Sequence, residues 1–428
     1  MGKAAKKPRN VSTALLVALL GTGCFAVRAG AQPTDEMKYR SALADCNHCP
    51  ELTSILNNLG ALYYAAGRYA EAGPLYERAL ALREAEAGPD AATLLPLLDN
   101  LALLYRDTAD YGRARQLAER ARTIAEFRNI TETLDGATAF ADLGAIMDLQ
   151  GGTAEALTWL SRALSIRERL LGPSDPLVAE TLSDLALAHR RNGHFTTAAE
   201  LYRRALAILE SAPVANRKSL PVVLGNLGQL EVQQGRLQQA EDALRQSVAQ
   251  SERLFGPEHP NTAAGLNNLA NLLRLRHRYK EAAEALRRAE EIDRRKFDPD
   301  HPRIALDLSV EAALAFDRKK YNEAERLFER ELAILTKRLP ANHREIGRVT
   351  ANLAEVYIRQ KRIAEAEQAF SRALTILEQS LGPDNPELLP TMEHYAQVLR
   401  ARQDFAKAAN LDARVMKIRV TQTLKGAA

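Results

Sequence analysis

The chain has 428 residues, 46% of them hydrophobic, 26% charged and only 5% aromatic, with a formal net charge of +4. That length admits several compact domains or one elongated array, and the abundance of Ala, Leu, Arg and Glu points to helices. Residues 1–31 hold five basic residues and no acidic ones, so without them Lys+Arg falls from 58 to 53 against Asp+Glu 54. The remainder is close to neutral, which gives no ground for nucleic acid as a partner.

In chain order, residues 1–31 come first, with Lys3, Lys6, Lys7 and Arg9 before an apolar run from Val11 to Leu20 and Ala29-Gly30-Ala31 at the end. This is the layout of a secretory signal peptide, and the run is short for a membrane span of roughly 20 apolar residues. Three outcomes stay open: cleavage after Ala31, lipid attachment at Cys24 in "LGTGC", or a retained anchor. All three export the bulk of the chain, to the periplasm or the medium, or to a membrane surface.

Residues 32–49 form an extension with Cys46 and Cys49 in "DCNHCP". An exported Cys-x-x-Cys reads as a local disulfide, a redox centre or two idle thiols. Pro50 stands where a covalent haem site needs His, and no βαβ pattern surrounds the pair.

From residue 50 to 420 one pattern repeats every 42 residues without insertion. Steps from Gly67 reach Ala109, Gly151, Gly193, Gly235, His277, Lys319, Lys361 and Gln403; five residues after each of these nine markers stands Ala, from Ala72 to Ala408. Seven residues before each marker stands Gly or Ala, from Gly60 to Ala396. Small residues twelve apart across a turn imply two helices crossing closely there. Asp175-Pro176 and Asn385-Pro386 read as N-cap and first helical position. Leu182, Leu185 and Ala186, then Phe195, Ala198, Tyr202 and Ala205, fall on helical seams. Residues 421–428 are a tail.

The small residues at the crossing, with "TLSDLALAHRRNGHFTTAAELYRRALAILE" and "LNNLANLLRLRHRYKEAAEALRRAEEI", resemble tetratricopeptide repeats, whose usual period is 34. The 42-residue form with "LGPSDP", "FGPEHP" and "LGPDNP" linkers is similar to kinesin light chains and their bacterial relatives, although the amino-terminal coiled coil of a motor subunit is not found. The resemblance implies an all-α, right-handed superhelical solenoid of about nine helical hairpins. It also implies a non-enzymatic scaffold without cofactors, whose concave face is lined by first helices and holds a protein or peptide segment.

On the first helices, Asn58, Asn100, Asp142, Asp184, Asn226, Asn268 and Asn352 recur at one position, broken by Val310 and His394. Helix interiors disfavour Asn and Asp, so the row invites two readings. It is either a ladder binding the main chain of an extended ligand, or a set of bonds that orders the stack. Arg191 and Arg359 follow seven residues later on the same face, with Arg274 one residue earlier in its repeat; they suit a carboxylate ligand or a solvated face. His259, His301 and His343 also recur at 42, but equivalent residues roughly 10 Å apart cannot share a metal with bonds of about 2 Å, so they are read as turn residues. Trp159 is read as core, "NIT" at Asn129 as a weak glycosylation acceptor, and Pro74 as a residue that kinks its helix or delays its start.

The rival readings are a membrane-anchored envelope component tethered at Cys24, and a thiol redox protein using Cys46 and Cys49.

Overall fold

The computed structural model describes residues 33–45 and 51–427. The signal segment, Cys24, Cys46 and Cys49 lie outside the described residues.

A short helix, α1 (Pro33–Asp45), precedes nine hairpins. These are α2 (Leu52–Ala65) with α3 (Tyr69–Ala87), α4 (Leu95–Asp107) with α5 (Tyr111–Phe127), and α6 (Leu134–Leu149) with α7 (Thr153–Leu171). Next come α8 (Pro176–Arg191) with α9 (Phe195–Ser211), α10 (Leu220–Gln233) with α11 (Leu237–Phe255), and α12 (Pro260–Leu275) with α13 (Tyr279–Lys296). The last three are α14 (Pro302–Asp317) with α15 (Tyr321–Arg338), α16 (Arg344–Arg359) with α17 (Ile363–Leu381), and α18 (Leu389–Ala401) with α19 (Phe405–Ala427). Among the described residues there is no strand, and no helix is long and apolar enough to cross a membrane.

The recurring turn has a backbone cause. All nine markers sit at positive φ, from 61° at Ala109 to 93° at Gly151. In every hairpin the next N–H donates to the carbonyl five residues back, as Arg68 to Tyr63 (2.8 Å) and Lys320 to Ala315 (2.9 Å). A left-handed residue after the last helical turn, closed by that bond, is a Schellman cap. It ends each first helix and turns the chain into the second.

The two small positions do what their spacing implies. The nine alanines after the marker are essentially inaccessible, from Ala72 to Ala408. At Gly228 an added Cβ would lie 2.6 Å from Leu244 Cγ, so the helices cross at near-contact distance. Asp175 caps α8 by accepting from Leu177 N (2.8 Å), and Asn385 accepts from Glu387 N in the same way (2.8 Å).

Pro74 neither delays nor breaks α3, which starts at Tyr69 like its counterparts. The carbonyl that loses its donor is that of Ala70, and both residues are exposed, so water can satisfy it. Trp159 is half-buried and stacks on Phe140 at 5.3 Å.

Successive first helices pack on one another, as α4 on α6 and α10 on α12, whereas successive second helices make no comparable contact. The first helices therefore line the short inner circumference and the second helices the outer one. Helix α1 closes the first hairpin, with Tyr39 and Leu43 against its core and Glu36 paired to Arg68 at 2.9 Å.

Candidate functional site

The curvature is tight enough that the solenoid meets itself. His259 Nε2 lies 3.1 Å from the Ala65 carbonyl, His301 Nε2 2.9 Å from that of Asp107, and His343 Nε2 2.7 Å from that of Leu149. Each bond spans 194 residues, between four and five repeats. Repeats six to eight thus rest on repeats one to three, one superhelical turn earlier.

Each imidazole serves two helices. Its Nδ1 accepts from the N–H two residues on, at Asn261, Arg303 and Glu345 (3.1, 3.1 and 3.2 Å), which caps the helix it precedes. An accepting Nδ1 fixes the proton on Nε2, which donates to the last-turn carbonyl of the helix below. Burial, the dominant cause, holds His259 and His343 down at about 4 and His301 at about 3. The turn role expected of these residues is therefore joined by an inter-turn bond.

Other groups fill the same seam. The Tyr69 ring stacks on Phe297 (5.9 Å), and Lys296 Nζ donates to the Ala66 carbonyl (3.3 Å). A Cβ at Gly193 would stand 2.8 Å from Pro386 Cγ, and that glycine already has φ +78°. The approach of the next coil is what calls for glycine there, since five other markers hold the same turn with Ala, His, Lys or Gln.

The inner row falls into groups. Asn58 is exposed and donates to Tyr39 Oη (3.3 Å); Asn100 is half-buried and donates to Asn57 Oδ1 of the preceding first helix (2.8 Å). Asp142, Asp184 and Asn268 are half-buried, while Asn226 and Asn352 are buried. Beside Asn268, Asn267 donates to Asp307 Oδ1 of the next first helix (2.8 Å). The row runs along the inner circumference, interrupted at buried Val310, and is more open at its amino-terminal end.

The arginines divide differently. Arg191 is buried and ion-paired with buried Asp148 of the preceding repeat. Arg274 is buried and binds Asp317 of the following one at 2.7 Å. Neither offers a charge to a ligand; both tie neighbouring first helices together at their carboxyl-terminal ends, where a cation also meets the helix dipole. Arg359 is exposed, with its guanidinium 5.7 Å from the Phe316 ring centroid. Sequence reasoning missed the ion pairs because their partners lie 43 residues away, one position off the repeat step.

Stacked helical hairpins closing into a coil define a helical-repeat solenoid. A tetratricopeptide repeat model matches residues 51–126, 136–211, 219–295, 266–337 and 345–419, and the chain belongs to that family. No curated protein matches the sequence. Among solved structures, one of Rap protein complexed with Competence and Sporulation Factor is similar in fold. It shows 14% identity, covers 87% of this chain and 98% of that one, and has a TM-score of 0.57. The nearly identical TPR-like repeats of a Podosopora anserina putative kinesin light chain match at 24% identity, over 46% of this chain and 94% of that one, with a TM-score of 0.36. BtubC (BKLC) from P. vanneervenii matches at 21% identity, over 54% and 92%, with a TM-score of 0.41.

Proposed function

We propose that this array is an exported, non-enzymatic scaffold that holds a peptide or protein segment along its inner face. Arrays of tetratricopeptide repeats commonly serve as scaffolds for protein partners, because stacking rigid hairpins creates one long continuous surface. The observation that carries the inner-face reading is the polar stripe from Asn58 through Asn100, Asp142 and Asp184, which keeps solvent access on helices that are otherwise largely buried. Amide and carboxylate side chains in a row suit the alternating N–H and C=O groups of an extended main chain. Contact between successive turns closes the lateral gap over repeats one to four, so a segment reaches the stripe along the superhelix axis rather than from the side. The exported location rests on the layout of residues 1–31.

The test is affinity capture from the exporting cell's envelope and secreted fractions, with the mature chain beside an Asn58→Ala, Asp184→Ala double variant of equal helicity. A partner held by the first and lost by the second supports the inner-face reading. Equal capture by both removes it.

A further inference from the structure

Repeat seven departs from the pattern of its own array. Glu311 stands where seven other repeats have Leu, from Leu59 to Leu353, and the last has Tyr395. Glu290, on the preceding second helix, stands where six repeats have Leu or Val, among them Leu206, Val248 and Leu332. Asp307 replaces residues such as Ile55, Leu97, Val223 and Val349. Three carboxylates therefore occupy one seam, between α13, α14 and α15, that is mostly apolar elsewhere and carries no other carboxylate at these positions.

The seam is also hollow. A cavity of about 220 Å³ is lined by Glu290, Glu311 and Asp307 together with Phe297, Ile304 and Leu308. A second cavity of about 210 Å³ adjoins the same two glutamates. Asp307 is only 3% exposed; its Oδ1 accepts from Asn267, but its Oδ2 has no hydrogen-bond partner among the described residues. A buried carboxylate oxygen left without a donor costs about 1–3 kcal/mol or more, and a ligand that donates to it recovers this.

Charge defines what fits. Arg294 binds Glu290 at 2.7 Å and Arg330 faces Glu311, while the nearby Arg303 is matched by Asp293 at 3.3 Å. Three carboxyl and two guanidinium groups line the cavity; burial, and then the charge of Asp293, hold the Asp307 carboxyl well above the usual range, so an entering cation favours its ionised form. Burial, and then the charge of Glu311, push the Glu290 carboxyl upward; burial raises Glu311 as well, opposed by Arg294. An entering cation offsets the Glu290–Glu311 repulsion and favours the ionised form of both carboxyls.

We propose that this pocket binds an alkyl guanidinium or ammonium group, with its methylene stem against Phe297, Ile304 and Leu308 and its charged head between Glu311 and Asp307. An arginine or lysine side chain of a partner and a free alkyl amine share that chemistry. The site deepens the scaffold reading by naming a partner chemistry; Asp307 adjoins the inner stripe through Asn267, and the site is tested without any captured partner.

The experiment is isothermal titration calorimetry of the full mature chain with agmatine, with the peptide acetyl-Gly-Arg-Gly-amide, and with its neutral citrulline counterpart. The comparison protein is Glu290→Leu, Glu311→Leu, which restores the residues found in the other repeats and is expected to melt no lower than wild type. The proposal expects the cationic probes to bind wild type at least about tenfold more tightly than the variant, in line with loss of charge-assisted bonds, and the citrulline peptide not to bind. Binding of the arginine peptide points to a partner's side chain, and binding of agmatine alone to a free amine. No heat with either cation, equal binding to the variant, or equal binding of citrulline overturns it. If the leucines disturb folding, Glu290→Gln, Glu311→Gln keeps the shape and reads the same loss.

Discussion

Acid should loosen the contact between turns, and three histidines should account for most of it. In the closed coil His259 and His343 titrate at about 4 and His301 at about 3, because each is buried with Nδ1 engaged as an acceptor. With the turns apart, the rings return toward the ordinary value of about 6.5. The separated state then binds more protons, so closure is complete above about pH 6.5 and is lost as pH falls toward 4. At pH 4.5 the penalty is about 2.5 kcal/mol per ring and about 8 kcal/mol for all three. That is a large share of the stability of an ordinary domain, about 5–15 kcal/mol.

The charges facing the rings set the detail of this response. Lys296 and Arg303 face His259, and Arg303 and Arg338 face His301; all three cations disfavour protonation. His343 has Glu345 against Arg344 and Arg191. The perturbation is His259→Asn, His301→Asn, His343→Asn, since Asn385 already caps a helix from the equivalent position. Urea unfolding at pH 7.5 and 4.5 reads the outcome, with small-angle scattering to follow the dimensions. Wild type should lose several kcal/mol between the two pH values and expand, whereas the variant should be weaker at pH 7.5 by about 1 kcal/mol per bond and far less sensitive to acid. Identical pH dependence in the two proteins would refute the argument.

Three further outcomes follow from packing and backbone. Arg191→Ala should cost about 3–5 kcal/mol in urea unfolding, because it leaves Asp148 charged and buried; Arg191→Met with Asp148→Leu should recover most of that. Ala240→Val, at a crossing with no accessible surface, should cost about 1–3 kcal/mol by overpacking, read as a lowered melting temperature with unchanged helicity. Lys319→Gly should stabilise by about 1 kcal/mol, because Lys319 is exposed and held at φ +63°; no gain would mean that the turn is not strained there.

The hairpin was legible in the sequence because its causes are local and repeat. The positive-φ marker, the buried Ala and the small residue before the turn each recur at 42, and all nine copies hold their place. What the sequence left hidden depends on the rotation between repeats, which sums many small packing choices. His259, His301 and His343 were visible as a 42-residue series, yet their partners at Ala65, Asp107 and Leu149 follow only from the number of repeats per turn. The histidines occur only in repeats six to eight, which lie over repeats one to three, while repeat nine, whose Pro386 approaches Gly193 of repeat four, carries Asn385. Repeat four, with no turn beneath it, carries Asp175 at that position. Arg191 and Arg274 were placed on the correct helices, but their burial depends on Asp148 and Asp317 of neighbouring repeats. Glu290 and Glu311 stand out in the sequence only as breaks in a leucine series, and the cavity between them follows from packing.

The most direct measurement on the account's central claim is site-specific photocrosslinking in the producing cell. One photoreactive residue replaces Asn58 on the inner stripe, and in a separate protein another replaces exposed Glu200 on the outer helix α9. The account predicts a discrete adduct from the inner position and none from the outer one. An adduct from Glu200 alone would contradict it and place the working surface on the outside of the coil.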